Sequence, residues 1–344
     1  MRIGTNPEKN NYNLNAKAYH RIIIPVYIPH FDDYFNEAFT IFKLCLESLI
    51  ATIHQDTRIT IFNNNCHNDV KQYIDLMYGI NECIDQIFHS KENLGKINAI
   101  LAASKGNLEQ LITITDADVL FKTNWQNEVE LVFMNFPQAG MVSPVPSSKA
   151  YNVYTSNNWG FAFLKGKLFF DKVVNPDGLM KFDVSLGNPR PLYKPIHLEK
   201  YLVIENKKNK AQAVMGCGHF VATLRREVFD LGTKEPAFIK IQGGVENKFI
   251  DAPNQALGFL RLATKNNFAF HMGNTVENWM IEEFKLLNKN IRMQPSLYSK
   301  KIPKSITVSG IEKKIGKIFT FLIAKKRLKK MYFNYLGLNY NQDY

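Results

Sequence analysis

The stretch Leu111-Ile-Thr-Ile-Thr-Asp-Ala-Asp118 decides the fold of this chain. Its first five residues are apolar or β-branched, as in a buried strand, and an aspartate follows directly. Because Asp116 and Asp118 are two residues apart, their side chains leave an extended backbone on the same side. Two carboxylates at a strand end are oxygen ligands that suit a hard divalent cation such as Mn or Mg. By itself, the pair is weak evidence for a metal site, because an aspartate at a strand end often caps the next helix.

The segments before this stretch alternate short β-branched runs with helical periodicity. This alternation is typical of βαβ units and predicts an α/β fold with a mostly parallel sheet and helices on both faces. Strands are predicted at Arg21–Val26, Ile59–Phe62 and Gln86–Phe88, with helices over 39–53, over 70–77 and up to Ala103. Polar residues follow the predicted strands, at the edge where open α/β sheets bind ligands.

The segments after this stretch are less uniform. Six prolines between residues 144 and 195 indicate an irregular or mixed insertion rather than further βαβ units. From Gly216 onward the pattern is regular again. It predicts strands at Gly218–Leu224 and Phe268–His271, and helices at Arg225–Leu231 and Pro253–Lys265.

The composition is that of a folded protein. With 344 residues, of which 45% are hydrophobic, the chain can bury a large core as one domain or two fused halves. The net charge is +12, and residues 301–330 carry ten basic residues against Glu312 alone. Such a concentrated charge suggests nucleic acid or an anionic membrane as a partner. Nucleic acid is not predicted, because no motif for reading bases accompanies the charge.

The basic segment has a helical pattern. Its apolar residues recur at helical spacing with lysines between them, namely Ile311, Ile315, Ile318, Phe319 and Leu322. A helix of this kind can lie in a membrane interface, so an anionic membrane surface bound through 311–330 is one interpretation. The other is a helix that packs on its own domain with a solvated lysine face.

Four strand-end motifs occur in a fixed order. They read Ile22-Ile-Ile-Pro-Val-Tyr27, Ile61-Phe-Asn-Asn-Asn65, Asn93-Leu-Gly-Lys-Ile-Asn98 and Ile112-Thr-Ile-Thr-Asp-Ala-Asp118. Together they resemble the motifs of family 2 glycosyltransferases with the GT-A fold. The resemblance implies a nucleotide-sugar-binding fold with a polar arm at 1–20, a donor-binding half at 21–145, an acceptor-binding half at 146–285 and a basic helical extension at 286–344.

The resemblance also implies roles for residues of the donor half. Pro25 and Tyr27 would shape the nucleotide pocket. Asn63 stands where the family usually has an aspartate that binds the base, which leaves the base open. Lys96 is placed either to approach the base, ribose or phosphates, or to be an exposed lysine at a helix start.

The metal site implied by the resemblance involves three residues. Asp118 would coordinate the cation, and Asp116 would touch the ribose or a metal-bound water. His271 would be a third ligand, although a lone histidine on a strand is also a common hydrogen-bonded structural residue.

The acceptor half supplies the predicted base. An inverting transfer needs a group that takes the proton of the acceptor hydroxyl. The family places a Glu-Asp pair before a helix for this, and Ile250-Asp251 retains only the second acid, so Asp251 is the predicted base and Glu246 its substitute. Asp251 is also compatible with a helix N-cap, since Pro253 follows in the first turn.

The sequence thus predicts an inverting, metal-dependent glycosyltransferase that moves a sugar from a nucleotide-diphosphate donor to a glycan or lipid-linked acceptor. Without a secretory leader or a run of 18 apolar residues, the expected location is cytoplasmic, peripheral to the inner face of the membrane if the basic segment binds there. A nucleotidyltransferase is one alternative, although 25–30 lacks the glycine of a phosphate loop. A binding protein without turnover is the other, motivated by Ile250 and Asn63.

Overall fold

The computed structural model describes residues 3–10, 13–240, 245–287, 295–338 and 344. It has the α/β architecture that the sequence predicts. The strands, numbered in chain order, are β1 His20–Val26, β2 Thr57–Asn64, β3 Ile84–Ser90, β4 Leu111–Thr115, β5 Val119–Phe121, β6 Ala139–Ser143, β7 Gly166–Lys172, β8 Lys200–Asn206, β9 Gln212–Met215, β10 Val221–Arg225, β11 Leu260–Ala263 and β12 Ala269–His271. The longer helices are α1 Ala38–Thr52, α2 Asn68–Ile80, α3 Lys96–Lys105, α4 Trp125–Asn135, α5 Ser156–Leu164, α6 Pro176–Ser185, α7 Pro195–Glu199, α8 Arg226–Asp230, α9 Ala252–Leu257, α10 Asn278–Leu286, α11 Gly310–Ile323 and α12 Lys326–Tyr335.

Ten strands form one sheet in the order β3-β2-β1-β4-β10-β6-β11-β9-β8-β7. The pairs among β3, β2, β1 and β4 are parallel, and so is β6 with β11. The other five pairs of this sheet are antiparallel. The sheet is therefore mixed, and the predicted parallel arrangement holds mainly for its first half, where helices connect the strands.

Apolar residues of the central strands are buried on both faces of the sheet. On one face, Ile22 and Ile24 of β1 pack with residues of α1, α2 and α4. On the other face, Ile112 and Ile114 of β4 pack with residues of α3 and α8. Helices thus cover both faces, as predicted, and leave the carboxyl ends of β1, β2 and β4 as the place for a site.

The segment after residue 145 is more regular than its prolines suggest. It contains α5, α6 and α7, and β7, β8 and β9 extend the central sheet. Pro176 and Pro195 each stand at the start of a helix, where a missing N–H costs nothing. Strand β10 lies between β4 and β6, so the two predicted halves share one sheet.

The predicted helix at Pro253–Lys265 is wrong in its second half. Helix α9 ends at Leu257, and Gly258 follows with a left-handed φ of 93°, a conformation that suits glycine. The next residues form β11, which pairs with β6 and β9. Sheet pairing, a long-range interaction, overrides the helical periodicity there.

Among the described residues, no helix combines the length and the apolar character needed to cross a bilayer.

Candidate active site

A cleft of about 810 Å³ lies at the carboxyl ends of β1, β2 and β4. Pro25 at the end of β1, Asn64 at the end of β2 and Asp116 after β4 all line it. Parallel strands present their carboxyl ends at one edge of a sheet, so motifs far apart in sequence meet there. This is the edge at which the sequence placed its polar motifs.

Asp116, Asp118 and His271 converge in this cleft. Strand β5 follows Asp118 directly and pairs with β12, with His271 opposite Val119. This pairing brings the His271 Nε2 atom to 3.5 Å from Asp118 Oδ2. One potential ligand atom from each of the three residues lies within 4.8 Å of the other two. The structure therefore brings together the three residues predicted to hold a metal.

The surroundings of Asp118 fit a bound cation. Among the described residues, its Oδ1 atom is buried and has no hydrogen-bond partner. Burial raises the pKa of Asp118, and the neighbouring Asp116 carboxylate raises it further, while His271 opposes them. A cation would neutralise this repulsion and satisfy the buried oxygen.

His271 is oriented by a second residue. Its Nδ1 atom lies 2.9 Å from Ser185 Oγ, at the end of α6. A hydrogen bond of this kind on one ring nitrogen fixes the ring and directs the other nitrogen, here toward Asp118. Ser185 lines the cleft and was not predicted, because no sequence signal links residues 86 positions apart.

Lys96 is a partly buried, ion-paired lysine rather than an exposed helix-start lysine. Its Nζ atom lies 2.5 Å from Asp116 Oδ1 and 3.3 Å from Glu246 Oε1. Burial works to lower the pKa of Lys96, but the two carboxylates outweigh it and the pKa is raised. Glu246 is affected in the opposite sense: burial would raise its pKa, but Lys96 lowers it. Lys96 and Glu246 are therefore both charged at neutral pH.

Gly95, which precedes Lys96, allows a close approach of two segments. Its φ is 81°, and a side chain here would meet the backbone of Lys240. Only glycine fits such a position. The glycine thus lets Lys240, which also lines the cleft, approach the start of α3.

An aromatic wall faces the acidic residues. Tyr27, Tyr34 and Phe35 line the cleft, with the ring centroids of Tyr27 and Phe35 5.9 Å apart and those of Tyr34 and Phe35 5.2 Å apart. Tyr27 is 40% exposed and Tyr34 is 66% exposed, so both rings present free faces. Pro25 and Tyr27 are thus in the cleft, where the sequence placed them.

Asn63 is not on the cleft wall. It is buried, where its amide group lies 2.9 Å from His89 Nδ1 and its Oδ1 accepts from the Cys66 backbone N–H at 2.9 Å. Its neighbour Asn64 lines the cleft instead and contacts the Asn93 side chain and the Leu94 backbone. Successive residues of a strand point to opposite sides of the sheet, so Asn64 faces the cleft and Asn63 does not. The predicted position was therefore one residue away from the observed one.

Asp251 is fully buried and does not line the cleft. It pairs with Arg261 at 2.9 Å and with His219. The N-cap interpretation is wrong: Asp251 has helical φ and ψ values, makes no capping hydrogen bond and ends a π-helical turn, Asn247–Asp251, that runs into α9. Glu246, just before that turn, does line the cleft.

His219 and Arg261 are the site-proximal residues that the sequence interpretation missed. Arg261 carried a signal, because an arginine in the apolar strand β11 must be buried and needs a counter-ion. His219 precedes Phe220, whose carbonyl oxygen accepts from the Asp116 N–H at 2.8 Å. The position of His219 depends on the packing of β10 beside β4, which is a tertiary feature that the local sequence does not reveal.

A second cluster of possible metal ligands consists of His20, His54 and Glu130. It lies at the amino end of β1 and is fully enclosed. His54 Nε2 donates to Glu130 Oε1 at 2.9 Å, and His20 Nδ1 lies 3.2 Å from the same oxygen. Thr57 and Thr113 engage the other ring nitrogens at 3.1 and 2.6 Å. Since each nitrogen and carboxylate oxygen already has a partner, this cluster is a closed structural network.

No protein-family model matches the chain, and a search of curated proteins finds no relative. Solved structures do match. The mannosyltransferase PcManGT from Pyrobaculum calidifontis, in complex with GDP-Man and Mn2+, is 13% identical with a TM-score of 0.43 over 93% of this chain and 84% of its own. TarS 1-349 from S. aureus, in complex with UDP-GlcNAc, is 10% identical with a TM-score of 0.43 over 80% of this chain and 68% of its own.

GalNAc-T7 with UDP, GalNAc and Mn2+ is 15% identical, with a TM-score of 0.48 over 75% of this chain. This chain spans 44% of the GalNAc-T7 chain and 21% of a longer S. aureus TarS chain that it also matches. At such identities the likeness concerns the fold.

Proposed function

We propose that this protein is a metal-dependent glycosyltransferase that uses a nucleotide-diphosphate sugar as donor. The observation that carries the proposal is the convergence of Asp116, Asp118 and His271 in an open cleft, with a buried Asp118 oxygen that has no partner among the described residues. Lys96 and Lys240 line the same cleft and supply positive charge for phosphates.

Each wall of the cleft suits one part of the donor. Asp118 and His271 would hold Mn or Mg, which when bound acts as a Lewis acid on the departing diphosphate. Asp116 keeps a carboxylate beside them for the ribose or for a metal-bound water, as the sequence resemblance implies. Tyr27 and Tyr34 offer exposed rings on which a nucleobase can stack, and Pro25 borders them.

Glu246 is the base that the geometry favours over Asp251. It lines the cleft and is ionised, since Lys96 lowers its pKa. In an inverting transfer the acceptor oxygen bonds to the anomeric carbon, the bond from that carbon to the diphosphate breaks, and Glu246 takes the hydroxyl proton. Asp251 would act indirectly, by holding His219.

The acceptor is proposed as a glycan or lipid-linked saccharide on the cytoplasmic side, a class that follows from the sequence resemblance. We expect residues 185–187, 273 and 274, which line the cleft, to border the acceptor.

A screen of nucleotide sugars by thermal shift tests the donor site, because a ligand that binds only the folded form stabilises it by about 2.7 kcal/mol at a hundredfold excess over Kd. We expect one nucleotide to raise the melting temperature with Mn²⁺ and not with EDTA, and Asp118→Asn to lose the effect. Asp69→Asn, an exposed aspartate outside the cleft, is the control. If no nucleotide stabilises the protein, or if Asp118→Asn retains the stabilisation, the donor site is elsewhere.

Turnover separates the proposal from its alternatives. Release of nucleoside diphosphate with transfer or hydrolysis of the sugar supports a glycosyltransferase. Formation of a nucleotide sugar and pyrophosphate from a nucleoside triphosphate would indicate a nucleotidyltransferase. Tight binding without any release would indicate a binding protein.

A further inference from the structure

Helix α11 packs on its own domain through a face that its apolar pattern does not predict. The buried residues of α11 are Glu312, Gly316 and Ile323. Gly316 and Gly160 of α5 let the two helices touch, since a side chain at either would overlap the other helix's backbone. Phe319 adds a stacked contact with Trp159, with centroids 6.5 Å apart.

The apolar residues on the opposite side of α11 remain exposed. Ile311 is 67% exposed, Ile318 is 58% exposed and Phe321 is 64% exposed. Their spacing of seven and three residues places them on one side of the helix. Packing on the domain therefore accounts for α11 as a helix but not for these side chains.

Helix α12 repeats this arrangement. Phe333 is buried against Tyr151 and Phe170, with centroids 5.5 and 5.1 Å apart. On the opposite side Leu328, Met331 and Tyr335 are exposed, with Met331 at 62% and Tyr335 at 83%. We call the six exposed residues Ile311, Ile318, Phe321, Leu328, Met331 and Tyr335 the outer apolar face.

The exposed charged residues of α11 and α12 are all basic. Lys314 and Lys317 of α11, Arg327 of α12 and Lys325, the N-cap residue of α12, are exposed, and Lys325 Nζ lies 5.1 Å from the centroid of Phe321. Glu312 is the only acidic residue of 301–338. It is fully buried, ion-paired with Lys165 at 3.0 Å and engaged in the N-terminal capping box of α11.

We propose that the outer apolar face of α11 and α12 binds the surface of an anionic lipid bilayer. Large apolar side chains flanked by lysine and arginine, with no exposed acid on either helix, are complementary to acyl chains beneath negatively charged headgroups. The two helices would lie in the interface, while their buried sides stay attached to the domain. This inference is independent of the proposed transfer reaction, since it concerns binding to lipid.

Co-sedimentation of the full chain with vesicles tests this surface. The lipids are phosphatidylcholine alone, and phosphatidylcholine with 30% phosphatidylglycerol as a roughly physiological anionic fraction. One variant, Ile318→Ser with Phe321→Ser, removes apolar contacts, and another, Lys314→Gln with Lys317→Gln, removes charge. The control, Lys207→Gln with Lys208→Gln, removes two exposed lysines from the turn between β8 and β9.

We expect the wild type to bind anionic vesicles at least about tenfold more tightly than neutral ones. The charge variant should bind about 25-fold more weakly, from about fivefold for each of the two lysines. The apolar variant should lose about tenfold or more, and the control should match the wild type. Circular dichroism melting curves verify that each variant is folded, as expected for exposed positions.

Three results would overturn the proposal. The first is equal binding of the wild type to both vesicle types, and the second is an equal loss of binding in the control variant. The third is that the protein does not bind vesicles but forms a dimer in sedimentation equilibrium, and that Ile318→Ser with Phe321→Ser dissociates this dimer. A second copy of the chain would then occupy the surface.

Discussion

Two clusters of histidine and carboxylate lie at opposite ends of the same strands. At the amino end of β1, His20, His54 and Glu130 are buried with every nitrogen and oxygen engaged. At the carboxyl edge, the cluster of Asp116, Asp118 and His271 opens into a cleft, and among the described residues Asp118 Oδ1 lacks a partner. The residue types are similar, so composition does not distinguish a site from a structural network.

The two clusters differ in their access to solvent and in whether their buried polar atoms have hydrogen-bond partners. A buried polar atom without a partner costs roughly 1–3 kcal/mol, and in an open cleft a bound ligand can supply the partner. The closed cluster has its full complement of hydrogen bonds and therefore contributes stability. The open cluster has a cost that a bound cation would remove.

Asp118→Asn should lower kcat by roughly 1000-fold or more, because a Lewis acid contributes several kcal/mol to the transition state. Without metal, the variant should be at least as stable as the wild type, since burial and Asp116 raise the pKa of Asp118 and make its charged form costly. Donor turnover and metal-free thermal melts measure the two effects. A variant with normal turnover would contradict the assignment of the open cluster.

Glu246→Gln should lower kcat by about 100-fold or more while the Kd of the donor stays unchanged, because a general base acts on the acceptor. Asp251→Asn should instead lower the free energy of unfolding by about 3 kcal/mol, since it breaks a buried pair with Arg261. Single-turnover rates and urea unfolding separate the two variants. Should Asp251→Asn lose more kcat than Glu246→Gln, Asp251 would be the base after all.

Glu130→Gln should lower the free energy of unfolding by about 3 kcal/mol, from two charge-assisted hydrogen bonds of about 1.5 kcal/mol each. His54 and His20 would lose the carboxylate that both contact. The kcat of the folded fraction should stay within about twofold, because the closed cluster is remote from the chemistry. Urea midpoints and turnover of the same sample give both numbers.

Acid should destabilise the closed cluster progressively. Burial would raise the pKa of Glu130, but its two histidine partners lower it to about 2, and burial lowers the pKa of His20. Both groups bind protons more readily in the unfolded chain, so their full contribution to the free energy of unfolding is present at neutral pH. This contribution should decline as the pH falls below about 6.5, through about 4.5, toward 2. Urea midpoints across this range should fall less steeply in Glu130→Gln than in the wild type.

The two clusters also differ in what the sequence could predict. Asp116 and Asp118 could be identified because the apolar run of β4 and the two acids that follow it are adjacent in sequence. The family resemblance added His271, which lies at the end of β12. His20, His54 and Glu130 carried no local signal, as their contacts span up to 110 residues. Asn64 was missed by a single residue of strand register.

The rest of the chain shows the same limit. Strand β4 was predicted with its observed bounds, and β1, β2 and α1 within a few residues. Helix α9 was extended too far, although Gly258 was a stop signal. The packing face of α11 was unpredictable, because a buried Glu312 and a small Gly316 help to form it while Ile311 and Ile318 stay exposed.

The most direct test of the central claim is a Mn²⁺ titration followed by electron paramagnetic resonance, with and without nucleoside diphosphate. The account predicts one bound Mn²⁺ per chain that Glu130→Gln retains and Asp118→Asn loses. Manganese that stays bound in Asp118→Asn and disappears in Glu130→Gln would contradict it, because the metal would then belong to the closed cluster.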